Sequence, residues 1–332
     1  MLDPAAKILV IHVARIGDTL LITPALRALK ATGPQGRLDC LLHPARRTLL
    51  ENLPFIDTLG AITPKTACVR GRFAGKSYDY ALVYGHDVPL VRYALRVADK
   101  VIAFRQCADE LNARLWRVVA PPTQPMHAVH ERLMLAAALG ATTTDYRLAC
   151  APTTTELANL RAWRERYAPG NPLIGLQVAS FPTKAYRDWP VESFAELGRR
   201  LLARHSNARL VLLGGEESRD KAAWLARQLG DHALAAAGRF GLRATAALMR
   251  QLDLYIGVDT GPTHIAGALG IPMVALYHCR HRGAHLAPLG HEHLAVIEHP
   301  AADADCTPST PMAAISIDTV WEAARHLLPP AP

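Results

Sequence analysis

The first feature of chemical interest is an aspartate that follows a strand-like apolar run near the start of the chain. Residues 7–13 (KILVIHV) form that run, and Gly17 and Asp18 follow it in the segment ARIGDT. At the end of a parallel strand a glycine permits a tight turn, and a carboxylate there points toward the ligand crevice. Asp18 could therefore act as a base, although an aspartate before a helix beginning near Thr19 is also typical of a helix cap. The sequence leaves both interpretations open.

A second segment, GVDTGPTH at residues 257–264, again places a turn between an apolar run and a helical pattern. Pro262 suits the first helical turn, and Gly261 allows another group to approach the backbone. Backbone N–H groups at such a helix start bind anionic phosphate. Three polar side chains surround the same point, namely Asp259, Thr260 and His264. The pattern favours a phosphate-binding turn over its alternative, a capped helix with a satisfied histidine.

Two further loops carry charges after predicted strands. The loop FPTKAYRDWP contains Lys184 and Arg187, two cations that could neutralise a diphosphate. The segment GGEE offers Glu216 and Glu217, which could accept hydrogen bonds from sugar hydroxyls. Taken alone, each loop is also consistent with solvated surface charges.

Alternating apolar runs and helical patterns predict the elements that position these residues. Strands of this length separated by helices indicate parallel sheets built from right-handed βαβ units. Predicted strands span residues 7–13, 38–42, 56–62, 80–84, 100–104, 173–178, 209–213, 254–258 and 273–277. Predicted helices span residues 19–31, 127–139, 191–203, 218–229, 244–251, 262–269 and 318–328.

The length of the chain indicates two domains. A chain of 332 residues exceeds the usual size of a single core. The Pro- and Thr-rich stretch 149–155 predicts a linker, with one domain over residues 1–150 and the second over residues 151–332. The last predicted helix could pack in either domain. We therefore expect an α/β protein with two Rossmann-like, doubly wound domains that face each other across a cleft.

Composition and motifs argue against several classes of protein. Half of the residues are hydrophobic and 20% are charged, as in ordinary globular proteins. No apolar run reaches the roughly 20 residues that span a bilayer, and residues 1–13 lack a signal-peptide pattern. We therefore expect a soluble intracellular protein. Neither G-x-G-x-x-G nor G-x-x-x-x-G-K-[ST] occurs, which argues against a nicotinamide dehydrogenase and a P-loop enzyme.

The cysteines and histidines suggest neither a disulfide framework nor a metal centre. The six cysteines contain no C-x-x-C pair, so the sequence predicts reduced, mostly buried thiols. They are Cys40, Cys68, Cys107, Cys150, Cys279 and Cys306. A histidine-rich region at residues 278–299 has a spacing that matches no metal-ligand template. We expect no metal and no cofactor there, and instead additional contacts to phosphate.

The positive charge lies almost entirely in the first half of the chain. Residues 1–150 contain 19 Lys and Arg against 12 Asp and Glu, which accounts for +7 of the formal net charge of +8. Such a surface is typical of proteins that bind nucleic acid, an anionic membrane or a phosphorylated substrate. Nucleic acid is the least favoured partner, because only 6% of residues are aromatic and no recognised motif occurs. The arginines available for an anionic partner are Arg15, Arg46, Arg47, Arg70, Arg72, Arg92, Arg96 and Arg105.

Together these segments resemble glycosyltransferase family 9, the ADP-heptose:lipopolysaccharide heptosyltransferases. The resemblance covers nearly the whole chain. It rests on KILVIHVARIGDTLLITPALRALK, YDYALVY, MHAVHERLMLAAALG and, as the most specific segment, YIGVDTGPTHIAGALGIPMVALY. It implies a GT-B fold, with acceptor binding in the first domain and nucleotide-sugar binding in the second. It also implies inverting transfer without a metal ion.

The resemblance also suggests roles for individual residues. Asp18 corresponds to the general base of the family, and we expect Lys184 and Arg187 to stabilise the departing diphosphate. The expected binding residues are Arg15, Gly17 and Arg105 for the acceptor, and Asp259, Thr260, Gly261, Thr263, His264, Glu216 and Glu217 for the donor.

Two departures from the family's pattern concern the donor side. Arg187 stands where the family usually has lysine, two residues before the Trp-Pro pair. Residues 278–283 (HCRHRG) stand where Gly-Pro-Thr usually follows the strand. Arg280 and Arg282 of this loop are expected either to contact the donor or to remain solvated charges.

The sequence thus predicts an inverting, metal-independent glycosyltransferase that moves heptose from ADP-heptose to a lipopolysaccharide core or related cell-envelope acceptor. The expected partners are the nucleotide sugar, a lipid-linked or phosphorylated saccharide, and the anionic cytoplasmic face of the inner membrane, to which the protein binds peripherally. Nucleic acid is not expected. The alternatives are another nucleotide sugar, a protein acceptor, or a noncatalytic nucleotide-sugar binder, which would have no use for a base at Asp18.

Overall fold

The first half of the chain forms a six-stranded sheet in which all strands are parallel. The computed structural model describes residues 2–328, which divide into two compact units between Ala151 and Pro152. The strands of the first unit are β1 (Lys7–His12), β2 (Arg37–Leu42), β3 (Thr58–Ala61), β4 (Tyr78–Tyr84), β5 (Ala98–Phe104) and β6 (Arg117–Val119). Its helices are α1 (Ile16–Leu21), α2 (Thr23–Thr32), α3 (Pro64–Arg70), α4 (Val88–Val97), α5 (Asp109–Asn112) and α6 (Ala128–Ala137). The strand order is β3-β2-β1-β4-β5-β6.

The second unit repeats this topology. Its strands are β7 (Leu173–Gln177), β8 (Arg209–Leu213), β9 (Ala233–Ala235), β10 (Leu254–Val258), β11 (Met273–Tyr277) and β12 (Leu294–Glu298). Its helices are α7 (Thr154–Tyr167), α8 (Val191–Arg204), α9 (Arg219–Leu229), α10 (Leu242–Met249), α11 (Gly261–Leu269), α12 (Gly283–Leu286) and α13 (Ile317–Leu327). The strand order is β12-β11-β10-β7-β8-β9, again all parallel.

In both sheets the direction of strand addition reverses beside the first strand of the unit. β1 lies between β2 and β4, and β7 lies between β8 and β10. Because the strands are parallel, the loops that follow β1 and β4, or β7 and β10, leave the same edge of the sheet side by side. Ligands of doubly wound folds bind at this position. The turns after His12, Gln177 and Val258 are therefore placed for binding.

The core of the second unit fixes both the loop before α8 and the last helix. Trp189 is buried and packs edge-on against Phe194, and its indole N–H donates to the Ile315 carbonyl at 3.0 Å. α13 contributes Val320 and Ala324 to the same core, so the last helix packs in the second unit. Within residues 2–328, none of the helices is both long enough and apolar enough to cross a membrane.

The structure confirms most of the predicted elements and changes several boundaries. β8, β10 and β11 match the prediction to the residue. The helix predicted from Thr19 begins at Ile16 and is interrupted at Ile22, where α2 follows α1. β6 and β9 have three residues each, too few for a pattern to reveal them. α7 begins inside the predicted linker, because Thr153 and Glu156 form a capping box there.

The prediction of reduced, mostly buried thiols is wrong in two respects. Cys279 and Cys306 form a disulfide. Among the other thiols Cys40 is buried, whereas Cys68 and Cys107 are exposed. The two bonded cysteines follow β11 and β12, and because these strands are parallel neighbours, the loops after them meet. The spacing of cysteines along the chain does not show that these two loops are in contact.

Candidate functional site

Asp18 lies in the first turn of α1, just after the carboxyl end of β1. The Oδ1 of Asp18 accepts a hydrogen bond from the Nη2 of Arg132 at 3.2 Å. The side chain of Asp18 is 36% exposed, and that of Arg132 is 15% exposed. The interpretation of Asp18 as the cap of a helix near Thr19 is wrong, because α1 begins at Ile16 and Arg132 binds the carboxylate. Arg132 thus orients a carboxylate that stays accessible.

His12 supports the turn that carries Asp18. Its buried ring packs edge-on against Tyr84, and its Nε2 lies 3.1 Å from the backbone carbonyl of Asp18. Burial, together with the nearby Arg132 guanidinium, lowers the pKa of His12 to about 4. The ring is therefore neutral at pH 7, and its Nε2–H donates to the Asp18 carbonyl. His12 fixes the backbone of the turn without adding charge to the site.

A cavity of about 500 Å³ opens at this edge of the first sheet. Its lining brings the carboxylates of Asp18 and Glu131 together with the guanidinium groups of Arg15, Arg46 and Arg132, and Glu131 pairs with Arg132 at 2.9 Å. His43 also lines the cavity, and burial together with Arg46 lowers its pKa. The turn after β4 completes the wall with the segment Tyr-Gly-His at residues 84–86. A cavity of this size with an excess of positive groups fits an anionic molecule of the size of a sugar.

Only some of the residues that the sequence predicts for the acceptor site of the first unit line this cavity. Arg15 and Arg46 line it, whereas Gly17 and Arg105 are not among its lining residues. A separate cavity of about 360 Å³ is lined by Arg92, Arg96, Glu110, Leu111 and Arg114. The positive charge of the first unit is therefore divided between two surfaces.

In the second unit, Arg187 and Asp259 form a buried ion pair. The Nη1 of Arg187 donates to the Oδ2 of Asp259 at 2.6 Å, and the Nε2 of His264 lies 3.6 Å from Oδ1. The side chains of Arg187 and Asp259 are 14% and 4% exposed. Burial acts to raise the pKa of Asp259, but His264, Arg187 and His281 outweigh it and hold this pKa below its ordinary value. Asp259 therefore neutralises Arg187.

The loop that carries Arg187 is fixed by the next residue, Asp188. Its Oδ1 accepts hydrogen bonds from the backbone N–H and the hydroxyl of Ser180, at 2.7 and 2.6 Å. Its Oδ2 accepts a hydrogen bond from the Nζ of Lys221 at 2.6 Å. With the buried Trp189 directly after it, Asp188 holds the loop at the carboxyl end of β7.

Lys184 is the cation of this loop that pairs with no carboxylate among the described residues. Its Nζ lies 5.8 Å from the centroid of the Tyr186 ring, and no carboxylate among residues 2–328 lies within ion-pair distance of it. The Tyr186 hydroxyl lies 2.6 Å from the Nε2 of His281, and its ring packs edge-on against His278. From the sequence, both Lys184 and Arg187 are expected to bind the diphosphate; in the structure Arg187 is paired with Asp259, whereas Lys184 lies beside Tyr186.

The first turn of α11 has no side-chain cap. The hydroxyl of Thr260, the residue before the helix, donates to the Val258 carbonyl at 3.3 Å and accepts nothing from the helix. The buried hydroxyl of Thr263 donates to the same carbonyl at 2.6 Å. Beside Gly261, the Nδ1 of the buried His264 has no hydrogen-bond partner within residues 2–328. Pro262 has no N–H and the Thr263 N–H donates to the Thr260 carbonyl at 3.1 Å, so the backbone donor left for an anionic oxygen at the start of α11 is the Gly261 N–H.

Several residues predicted for the donor side are engaged elsewhere. Glu216 pairs with Arg219 at 2.7 Å on the surface, and Glu217 is exposed. Arg282 donates to Asp303 and to two backbone carbonyls, so the protein itself uses its guanidinium. Neither glutamate lies among the contacts that join Arg187 to the start of α11.

Two groups of residues that shape these sites are not evident from the sequence. Arg132 lies in MHAVHERLMLAAALG, where the pattern shows only a helix, and its contact requires α6 to pack beside α1. Tyr186 and His281 lie in the loops after β7 and β11, and their contact depends on the order of the strands in the second sheet. The polar turn after β4 carried a usable signal, since it follows the strand that pairs with β1.

Comparison with known proteins relates this arrangement to one family. The family described as "Glycosyltransferase family 9 (heptosyltransferase)" matches residues 93–312. "Lipopolysaccharide heptosyltransferase 3" of Escherichia coli is 24% identical over 276 residues, which cover 79% of this chain and 80% of the relative.

Solved structures of the same family share the fold. The glycosyl transferase family 9 protein from Veillonella parvula is 21% identical, with a TM-score of 0.85 and 98% of each chain covered. The E. coli ADP-heptose lps heptosyltransferase II is also 21% identical, with a TM-score of 0.78 and 97% and 98% of the two chains covered. The fold is therefore of the GT-B type, as the sequence predicted.

The buried ion pair of the second unit predicts a large effect on stability. Asp259→Ala leaves the Arg187 guanidinium buried without its partner, so we expect the free energy of unfolding to fall by about 3–5 kcal/mol in denaturant titrations. Replacing both residues, Arg187→Met with Asp259→Leu, should recover part of that loss, because no charge then remains buried. The control Asp303→Ala breaks the exposed pair with Arg282 and should stay near wild type. Equal stability of Asp259→Ala and the control would show that the buried pair is not structural.

Proposed function

Because the chain belongs to glycosyltransferase family 9, we propose that this enzyme transfers heptose from ADP-heptose to the lipopolysaccharide core or a related cell-envelope acceptor. Two lines of support concern relatives rather than this chain: one is named a lipopolysaccharide heptosyltransferase and another an ADP-heptose lps heptosyltransferase. The observation on this chain that carries the proposal is the accessible Asp18 carboxylate in a cavity with excess positive charge.

The first unit would bind the acceptor and supply the base. Asp18 takes the proton from the acceptor hydroxyl while that oxygen attacks the anomeric carbon of the donor. Arg132 and the neutral His12 hold the carboxylate and its backbone in place. Arg15 and Arg46 supply positive charge for phosphate or carboxylate groups on the acceptor saccharide. Attack from the face opposite the leaving group inverts the anomeric configuration.

The second unit would bind the nucleotide sugar. As the bond between the anomeric carbon and the diphosphate oxygen breaks, its electron pair stays on the diphosphate, whose negative charge rises. Lys184 and the uncapped start of α11 are the groups available to stabilise that charge. Arg187, neutralised by Asp259, would orient a phosphate oxygen through its remaining N–H donors. These groups serve the role of a divalent cation in transfer, so we propose a reaction that is independent of metal.

We also propose that the enzyme acts at the cytoplasmic face of the inner membrane, bound peripherally. The support is a surface at the end of α3, which we call the α3–α4 surface. It comprises Val69, Arg70, Arg72, Phe73, Arg92 and Arg96. Phe73 is 88% exposed and Val69 is 60% exposed. Arg70 and Arg72 are their neighbours in the chain, and Arg96 donates a hydrogen bond to the carbonyl of Gly71, which lies between them in sequence. Exposed apolar side chains among basic groups are typical of proteins that bind anionic bilayers.

Asp18→Asn tests the proposed base. The amide keeps the shape of the side chain but cannot take a proton, so we expect turnover to fall by roughly 10²–10⁴-fold while donor affinity stays unchanged. Asp145→Asn is a matched control, because Asp145 in the same unit is 33% exposed and also pairs with an arginine, Arg27. Turnover by Asp18→Asn within a few-fold of the control would leave Asp18 a purely structural role.

Nucleotide affinities test the assignment of the diphosphate site. Lys184→Gln should weaken ADP binding by roughly 10–100-fold, the effect of losing one charge-assisted contact, and AMP binding much less. Isothermal titration calorimetry with ADP, AMP and ADP-heptose provides the measurement. Lys100→Gln is the control, since Lys100 also lies over aromatic rings but belongs to the first unit. Equal losses for ADP and AMP would show that Lys184 does not contact the diphosphate.

A chelator tests whether the reaction is independent of metal. Turnover should be unchanged in excess chelator, and turnover that requires an added divalent ion would contradict metal independence.

Vesicle sedimentation tests the α3–α4 surface. Val69→Ser with Phe73→Ser should reduce binding to vesicles that contain phosphatidylglycerol by about 10–100-fold, the effect of burying one large apolar side chain. Tyr167→Ser is the control, because this exposed aromatic residue lies in the second unit. Turnover on a soluble acceptor fragment should be unchanged in all variants. If the double variant binds vesicles as well as the control does, the membrane contacts another surface.

A further inference from the structure

The loops after β11 and β12 bring two sulfur atoms and one imidazole together. The side-chain ligand atoms of His278, Cys279 and Cys306 all lie within 4.8 Å of one another. His278 and Cys279 are buried, and Cys306 is partly exposed. Two sulfurs and an imidazole are the ligand types that zinc prefers. In the structure the two sulfurs are joined as a disulfide.

The tautomer of His278 puts the ring's lone pair on Nδ1, the nitrogen that faces this cluster, and a metal ion bound there replaces the hydrogen bond that this nitrogen accepts from the Arg280 N–H. Its Nε2 lies 3.1 Å from the Thr310 carbonyl, which can only accept, so Nε2 carries the hydrogen. Its Nδ1 accepts the backbone N–H of Arg280 at 3.1 Å and lies 3.7 Å from the Sγ of Cys279. Bond lengths of about 2.3 Å to sulfur and about 2.0 Å to nitrogen at a tetrahedral angle require a separation of about 3.5 Å between ligand atoms. The observed Sγ to Nδ1 distance is already close to that value, and a backbone carbonyl on the far nitrogen is how metal-bound histidines are usually oriented.

The two loops remain joined when the disulfide is reduced. Arg282 donates to the carboxylate of Asp303 at 2.7 Å and to the backbone carbonyls of residues 299 and 301 at 2.8 and 2.6 Å. The His278 contact to the Thr310 carbonyl spans the same two loops. Because these contacts do not involve sulfur, the two thiols stay near each other and near Nδ1 after reduction.

We propose that reduction of the Cys279–Cys306 disulfide creates a zinc site whose protein ligands are Cys279, Cys306 and the Nδ1 of His278. The inference rests on the proposed function for its cellular setting, because a cytoplasmic enzyme works where thiols are kept reduced. A thiol reductant supplies two electrons and two protons, is itself oxidised to a disulfide, and leaves two cysteine thiols. Zinc then displaces both thiol protons into solvent and binds the two thiolates. The fourth position is open at the partly exposed Cys306 side.

The proposed zinc site lies beside the donor-side loop without belonging to it. The ring of His278 packs 5.1 Å from that of Tyr186, whose hydroxyl lies 2.6 Å from His281. An ion at this position fixes the turn after β11, against which Tyr186 rests. Its role would be to order that turn, while the transfer chemistry stays with Lys184 and the start of α11.

Metal titration of the reduced protein tests the proposal independently of transferase activity. The protein carries Cys68→Ser and Cys107→Ser to remove the exposed thiols, and it is reduced with a phosphine under anaerobic conditions. We expect one Co²⁺ per chain with thiolate-to-cobalt charge-transfer absorption, displaced by Zn²⁺. Cys279→Ser, Cys306→Ser and His278→Ala should each weaken Zn²⁺ binding by more than the about 10–100-fold typical of second-sphere residues. His293→Ala, a histidine of the same region outside the cluster, is the control and should bind as the parent does.

Thiol protection supplies a second measurement that needs no substitution in the site. In the reduced protein, Zn²⁺ should protect both Cys279 and Cys306 from iodoacetamide, as mapped by mass spectrometry, and the oxidised protein should bind no Zn²⁺ there. Zn²⁺ binding that is equally weak in the reduced parent and in the cysteine variants, or alkylation unaffected by Zn²⁺, would overturn the proposal. Either result would leave the predictions for Asp18 and Lys184 untouched, since neither involves this site.

Discussion

The reversal of strand order beside β1 and β7 is the constraint on which both candidate sites depend. It places two turns at one edge of each sheet, where the parallel strands end and polar side chains can lie outside the apolar core. Each unit has an aspartate in one of these turns. Asp18 follows β1 and Asp259 follows β10, and each carboxylate is bound by an arginine from a different segment of its unit. Topology brings these partners together across 114 residues in one unit and 72 in the other.

The two pairs differ in burial, and the difference suits the role proposed for each. Asp18 is 36% exposed, so water and a substrate hydroxyl can reach it, and breaking its contact with Arg132 has a modest electrostatic cost. Asp259 is 4% exposed and is surrounded by Arg187 and His264, so its charge is locked in place. A carboxylate that must exchange protons needs the first environment. One that must hold a guanidinium beside a phosphate needs the second, because the desolvated charge cannot be left without a partner.

Local sequence patterns predicted the strands and the turns. The contacts between segments that are far apart in the chain could not be predicted from such patterns. The apolar runs of β8, β10 and β11 sit between turn residues, so their bounds could be read from the sequence. Asp18 could be singled out from its place after β1, but its contact with Arg132 depends on how α6 packs. The pairing of Arg187 with Asp259 and of Cys279 with Cys306 likewise depends on which strands are neighbours. The start of α1 was misplaced because the helix begins at Ile16 without a side-chain cap, the signal by which such starts are usually recognised.

The division of basic charge in the first unit gives its two surfaces different responses to salt. Arg132 is 15% exposed inside the cavity, where screening by ions is weak. Arg92 is 58% exposed on the α3–α4 surface, where attraction to an anionic bilayer extends over a Debye length of about 10 Å at 0.1 M salt and shrinks as salt is added. Added salt therefore weakens the hold of the proposed membrane contact before it weakens recognition of an anionic acceptor in the cavity. Phe73 and Val69 oppose that loss, because the hydrophobic contribution of exposed apolar side chains does not depend on screening. With both kinds of group, the proposed membrane surface would keep the enzyme near a lipid-linked acceptor while acceptor molecules bind to the cavity and leave it.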